Sequence, residues 1–380
     1  MDSTSHIYNA NNTSPLVVAF GTYNIRKHPR VGILISGLQK NNCTVVEINH
    51  PLKLSTAQRV KILQNPWLLF GFVWNLLRLW KTLIHDTRQW LGTHRKPDAI
   101  LVGYMGHFDV LLARHLFKGI PIILDHLIFA GDTARDRGAQ GIKVSLLKHL
   151  DRMAIAAADL IVVDTEEHRR MLHSTDASMV IPVGASDIWF DAATSETPNN
   201  AVVFYGLYTP LQGTPIIAQA LQILAQRGLL PPVTMIGNGQ DYRMVHRISE
   251  HLGNVDFQDW VEPELLPQTV ADHAISLGIF STTPKGLHVV PNKVYQSMAA
   301  GCAVVTSDTP PQRRVLGDGA IFVQPGNPEA LASAIEQLLR NPAALQQARQ
   351  RSFSTAQRFT DVVITLQLAD WITTMNHKGH

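Results

Sequence analysis

The strongest constraint on this chain is a recurrence: short, almost wholly apolar runs, each followed by a stretch of helical periodicity. In the first half the runs are LVVAFGTY (16–23), CTVVEIN (43–49), DAILVGY (98–104), PIILDHL (121–127) and DLIVVDT (159–165). Helical patterns at 29–41, 66–91, 108–119 and 139–158 separate them. A strand that is apolar on both faces must be covered on both faces, and helices that alternate with such strands cover a parallel sheet. After DAATSETPNN (191–200), a polar segment that reads as a linker, the pattern restarts with AVVFYG, PVTMIGNG, NVDFQDW, AISLGIFS, CAVVTSD and GAIFVQP. The expected fold class is α/β: two Rossmann-like, doubly wound domains with a cleft between them, over 1–190 and 201–353. Ligands of such sheets bind beyond the carboxyl ends of the strands.

The rest of the composition narrows the function. With 380 residues, 45% of them apolar and 17% charged, the chain can build two packed cores. A formal net charge of +3 is too small to imply nucleic acid without a clustered basic stripe. Two distant cysteines, Cys43 and Cys302, rule out a disulfide scaffold or a cysteine-rich metal site. The polar start, MDSTSHIYNANNTSP, has no apolar leader region, so a cytoplasmic protein is expected. From Ile62 to Leu77 no residue is charged, but a span needs about 20 apolar residues, and Arg78 and Lys81 follow at once. The 66–91 segment therefore reads as an amphipathic helix. It either packs on the sheet or rests on the cytoplasmic face of a membrane through Trp67, Phe70 and Trp74.

Several strand ends carry residues suited to anions. Gly21 and Thr22 follow the first strand, with Arg26, Lys27, His28 and Arg30 behind them. In the second half, Gly206 and Gly213 flank the first loop, Thr214-Pro215 opens a helix, and Gly237 and Gly239 end the next strand. Free N–H groups at such turns and helix starts suit a diphosphate. No Asp-x-Asp, Gly-x-x-x-x-Gly-Lys-Ser/Thr, His-Glu-x-x-His or Gly-x-Ser-x-Gly occurs, which disfavours the metal-dependent GT-A class, P-loop enzymes, zincins and α/β-hydrolases.

One segment is more specific: Thr282-Thr283-Pro284-Lys285, then Pro291-Asn292-Lys293-Val294-Tyr295-Gln296-Ser297-Met298-Ala299-Ala300-Gly301. It resembles the C-terminal signature of family 4, group 1 glycosyltransferases, which have the GT-B fold. Segments 203–239, 254–325 and 328–340 follow that family in order. The resemblance implies a retaining transfer from a nucleotide-diphosphate sugar, with no cofactor and no essential metal. It also implies that 354–376 is a helix crossing back onto the first domain. Pro291, Asn292 and Lys293 would face the diphosphate, with Lys285 adding charge. Gln296 would hold the ribose, and Trp260 and Val261 the base. Gln212 and His288 stand where many members carry a Lys and a Glu, and Leu207 or Tyr208 replaces an Arg. In the first domain, Gly103–Asp109 is similar to the family's His-x-His stretch. This makes His107 the catalytic candidate, with Asp109 orienting it or capping its helix. Asp125, Asp132 and Arg135 are acceptor-side candidates, for a glycan or lipid-linked acceptor in surface-polysaccharide or glycoconjugate assembly. Two other readings stay open: a nucleotide-sugar 2-epimerase, and a non-catalytic nucleotide-sugar-binding module.

Overall fold

The computed structural model describes residues 14–26, 28–52, 66–104, 106–127, 129–136, 140–193 and 200–378. The apolar runs form two six-stranded, all-parallel sheets. The first contains β1 (Leu16–Gly21), β2 (Thr44–Asn49), β3 (Ala99–Val102), β4 (Ile122–Asp125), β5 (Leu160–Val163) and β6 (Ser178–Val180), in the order β2-β1-β3-β4-β5-β6. The second contains β7 (Val202–Tyr205), β8 (Val233–Ile236), β9 (Val255–Gln258), β10 (Ile275–Leu277), β11 (Ala303–Ser307) and β12 (Ile321–Val323), in the order β12-β11-β10-β7-β8-β9. The strand order reverses between β1 and β3 in one sheet and between β7 and β10 in the other. Loops leaving neighbouring strands part at such a point, opening a crevice at the carboxyl ends.

β6 was not expected as a strand. Its residues are half-buried at a sheet edge and open with Ser178, so no apolar run marks it. The strands β1, β3, β4, β5 and β7 are buried along their whole length, as parallel strands covered on both faces must be. The expected 191–200 linker falls largely on 194–199, outside the described residues.

The closing helix departs from expectation. Residues 354–356 finish the helix Pro342–Ala356. The chain then breaks at Gln357–Phe359, and a new helix runs Asp361–Lys378. This last helix packs on Arg30–Lys40, the first helix of domain one, so closely that a Cβ on Gly37 would strike Asp361 and Thr365. Asp361 takes the Lys40 ammonium at 2.7 Å, and Asn41 Nδ2 donates to the Val362 carbonyl at 2.8 Å. Ile364, Leu368 and Ile372 thereby join Val31, Leu34 and Leu38 in one core.

Pro66–Thr93 is a single helix with a buried and an exposed face. Leu76 and Leu83 are buried toward the sheet, whereas Phe70, Leu77 and Trp74 (76% accessible) face outward. None of the helices described is long and apolar enough to cross a membrane.

Candidate functional site

At the β1–β3 crossover, several polar groups are bonded to one another. His107 Nε2 lies 3.0 Å from Asp151 Oδ1. Asp151 also accepts the amides of Ala130 (2.9 Å) and Gly131 (3.1 Å), which open the short helix Ala130–Asp136. Burial alone would raise the Asp151 pKa, but the His107 hydrogen bond and these two amides hold it below the usual carboxylate range. With Nε2 as donor to Asp151, the neutral ring keeps Nδ1 as an acceptor, and protonation turns Nδ1 into a second donor.

The His126 ring lies 5.1 Å from that of His107, and neither of its nitrogens has a hydrogen-bond partner among the described residues. Burial, reinforced by the neighbouring His107, pushes its pKa down to about 3. Phe129 bridges from His126 to His168, which is bonded to Asp164. His107, His126 and Asp151 also form the cluster among the described residues that could hold a metal ion, with donor atoms within 4.8 Å of one another.

Three expectations need correction here. Asp109 does not orient His107. Its Oδ2 accepts the Thr22 amide (2.7 Å) and hydroxyl (2.8 Å), and its Oδ1 accepts Trp80 Nε1 (3.0 Å). Gly21 lies against the same carboxylate, where a Cβ would come within 2.9 Å of Oδ2. Gly21 and Thr22 thus lock the first turn onto Asp109, and Trp80 ties the 66–93 helix to it. Burial raises the Asp109 pKa against the pull of those hydrogen bonds.

Asp125 does not face an acceptor. It is buried and receives Arg30 Nε at 2.8 Å, while the same guanidinium donates to the carbonyls of Pro182 (2.8 Å) and Ile181 (2.9 Å). Burial raises its pKa although Arg30 opposes the rise. Arg30 is correspondingly no cation at the mouth of the sheet, being only 2% accessible. Of its neighbours, Arg26 is exposed and pairs at 3.6 Å with Glu264 of domain two, the His28 ring lies tilted against that of Tyr104 with centroids 4.4 Å apart, and Lys27 lies outside the described residues. Asp132 is half-buried, 3.8 Å from Lys148, and the Arg135 side chain is outside the described set.

At the β7–β10 crossover the turns pack on each other's backbone. Gly206 follows β7 with φ +141°, and a Cβ there would come within 3.0 Å of Lys293 Nζ and 4.0 Å of Gln212 Oε1. Gly237 (φ +117°) lies so close that a Cβ would overlap the Gly206 carbonyl, and Gly239 sits against Tyr208. A Cβ at Gly213 would approach the Phe280–Ser281 backbone at 2.7 Å. Pro291 caps the helix Asn292–Ala299.

Lys293, one residue inside that helix, is 6% accessible, and its ammonium stands 3.6 Å above the centroid of the Phe204 ring. Neither its Nζ nor Gln212 Oε1 has a hydrogen-bond partner among the described residues. Asn292 and Gln296 are half-buried, as are Lys285 and Val261, whereas Trp260 is 68% accessible and His288 exposed.

The two crossovers belong to one molecule-wide arrangement. Thr165 Oγ1 donates to the His288 carbonyl (3.3 Å), and Arg314 grips Glu167 with two bonds of 2.8 and 2.9 Å. Trp189 stacks on Tyr205, with ring centroids 5.9 Å apart. Sequence reasoning did not find Asp151. Its signal was present, because Val144, Leu147, Asp151 and Ala154 follow helical spacing along the inward face and put an acid in a core position.

Residues 199–341 match the family model described as glycosyl transferases group 1. A sequence comparison with curated proteins gives no match. Among solved structures, the chain is similar to sucrose-phosphate synthase from Thermosynechococcus elongatus, with a TM-score of 0.71 and 12% identity over 96% of this chain and 100% of the other. It is similar to Anabaena HepE in complex with UDP-glucose, with a TM-score of 0.65 and 16% identity over 94% and 99%. It is also similar to S. aureus TarM, with a TM-score of 0.59 and 12% identity over 78% of this chain and 58% of that one. These likenesses show the shared GT-B fold.

Proposed function

We propose that this chain, whose residues 199–341 match the family model described as glycosyl transferases group 1, moves a sugar from a nucleotide-diphosphate donor to an acceptor, with retention and without an essential metal. The observation that carries the reading is the buried Lys293 Nζ at the Gly206 turn, which has no hydrogen-bond partner among the described residues. A nitrogen that can be charged, set among backbone turns at a crossover, suits a diphosphate and little else. The donor would lie over Gly206, Gly213, Gly237 and Gly239. Asn292 and Pro291 would present the helix start, Gln296 the ribose contact, Trp260 and Val261 the base contact, and Lys285 a second cation. HepE, bound to UDP-glucose, supports the donor class.

His107 would face the transferred sugar, held in place by Asp151, and hydrogen-bond the sugar or the leaving phosphate. Charge developing on the diphosphate would be met by helix N–H groups and the lysines. The metal-independent reading draws support from Asp151, whose two oxygens already serve His107, Ala130 and Gly131. The acceptor would approach domain one past Asp132 and Arg135. A glycan or lipid-linked acceptor at the cytoplasmic face of a membrane fits the exposed Phe70, Trp74 and Leu77, with Arg78 and Lys81 just behind. This would suit surface-polysaccharide or glycoconjugate biosynthesis.

The deciding experiment is thermal unfolding with UDP, GDP, ADP, TDP and CMP, in EDTA and then with Mg²⁺. A ligand at 100 times its Kd stabilises by about 2.7 kcal/mol. One diphosphate should raise the melting temperature in EDTA, and no shift from any of them removes the donor-site reading.

A further inference from the structure

Lys293 is an unusual place to keep a cation. It is almost wholly buried, it lies under the Gly206 turn, and no carboxylate is bonded to it. Its immediate surroundings are the faces of two aromatic rings, Phe204 at 3.6 Å and Tyr205 at 5.8 Å, and both its Nζ and Gln212 Oε1 lie toward the position a Cβ on Gly206 would take. The Tyr205 hydroxyl is turned away, donating to the Lys293 carbonyl (3.0 Å) and lying 3.1 Å from Ser297 Oγ.

The other titratable groups on the surrounding elements are Tyr208 beyond β7, Tyr295 on its own helix, Lys285 and His288 on the preceding loop, Cys302 behind Tyr205, and two acids on the turns after β8 and β9, the half-buried Asp241 and the exposed Asp259, which accepts Asn238 Nδ2. Among the described residues neither acid is bonded to Lys293 Nζ. Burial alone pushes the Lys293 amine well below its ordinary value.

A ring face attracts a cation, but less strongly than water solvates one. A diphosphate over the same turn changes the balance, because its charge acts across a dry, low-dielectric layer.

We propose that binding of the donor's diphosphate over the Gly206 turn is coupled to uptake of one proton, which goes from the buffer onto Lys293 Nζ. The proton converts the amine to an ammonium, and no bond in the donor forms or breaks. The inference rests on the donor site proposed above. It adds that the site gains its positive charge only as the anion arrives and loses it again when the nucleoside diphosphate leaves. Donor affinity would then fall as pH rises, by up to about tenfold per pH unit once the empty protein holds Lys293 neutral.

The test is isothermal titration of the full chain with UDP at pH 8, in buffers of different ionisation enthalpy. At that pH the terminal phosphate, with its pKa of about 6, is already ionised and contributes no proton exchange of its own. GDP, ADP and TDP serve as further probes. The expected result is uptake of close to one proton per bound nucleotide.

Lys293→Arg, which cannot lose its proton, should bind without uptake. Lys293→Met should bind more weakly and also without uptake. Wild-type binding with no proton uptake would overturn the proposal, as would the same uptake in Lys293→Met. Failure of every nucleotide to bind would instead remove the donor-site reading, and this inference with it.

Discussion

The two crossovers are built to one plan, but their charged groups are held differently. At β1–β3, Asp109, Asp125 and Asp151 are each bonded to named donors: Thr22 and Trp80, Arg30, and His107 with two amides. At β7–β10, Lys293 Nζ and Gln212 Oε1 have no partner among the described residues. A buried polar group that is bonded fixes geometry, and one that is not costs stability until something satisfies it. Domain one therefore holds a prearranged histidine, and domain two holds an unsatisfied amine. Under the proposed transfer, the prearranged histidine would keep a reacting group oriented beforehand, and the unsatisfied amine would release binding energy on contact with the donor.

The contrast can be broken experimentally at both ends. The largest expected effect is on turnover: His107→Ala should lower kcat about 10²–10⁴-fold while leaving the UDP dissociation constant nearly unchanged. Loss of nucleotide binding would place His107 in the structure rather than the chemistry. Next in size is a pair of matched deletions read by thermal unfolding. Arg30→Met strands the buried Asp125 carboxylate and should cost about 3–5 kcal/mol, whereas Lys293→Met removes an unsatisfied amine and should leave the melting temperature equal or higher. Equal losses in both would erase the distinction between the two sites.

Asp151→Asn tests the prearrangement itself. A histidine displaced by an ångström should lose roughly 10²-fold in kcat, with a changed pH–rate profile and unchanged nucleotide affinity. A merely structural role would lower the melting temperature and leave the shape of that profile alone.

The smallest effect is on pH-dependent stability. His126 stays neutral in the folded chain down to about pH 3, but titrates near its ordinary value of about 6.5 when unfolded. Between those limits the unfolded state binds the extra proton, so stability falls as the solution is acidified, by at most about 1.4 kcal/mol per pH unit. Urea unfolding at pH 7, 6, 5 and 4 should show a shallower decline in His126→Gln than in the parent.

The framework was legible because burial on both faces leaves its mark in composition. AILV, IILD and LIVV could be little other than inner parallel strands, and the restart at residue 201 announced the second sheet. What escaped was whatever depends on partners distant in sequence. Arg30 and Asp125 look like surface charges when read singly, and only the fold brings a guanidinium from the first helix to the end of β4. Asp109 seemed tied to His107 by nearness in sequence, yet its partners are 87 and 29 residues away. Lys293 was singled out by its motif as a candidate. Its burial was not legible, because that follows from the Gly206 turn closing over it.

The packing of the 361–378 helix on the 30–40 helix has a consequence for the order of events during synthesis. The core of domain one is incomplete until Ile364, Leu368 and Ile372 have been translated. The strands of the second sheet, from β7 through β12, lie in one uninterrupted stretch that leaves the ribosome earlier. The second domain can therefore reach its native packing while the first waits with the groove of its leading helix exposed. A released chain ending at residue 360, which keeps Leu331 to Ala348 of the second core, should present a folded second domain and a first domain still open to chaperones.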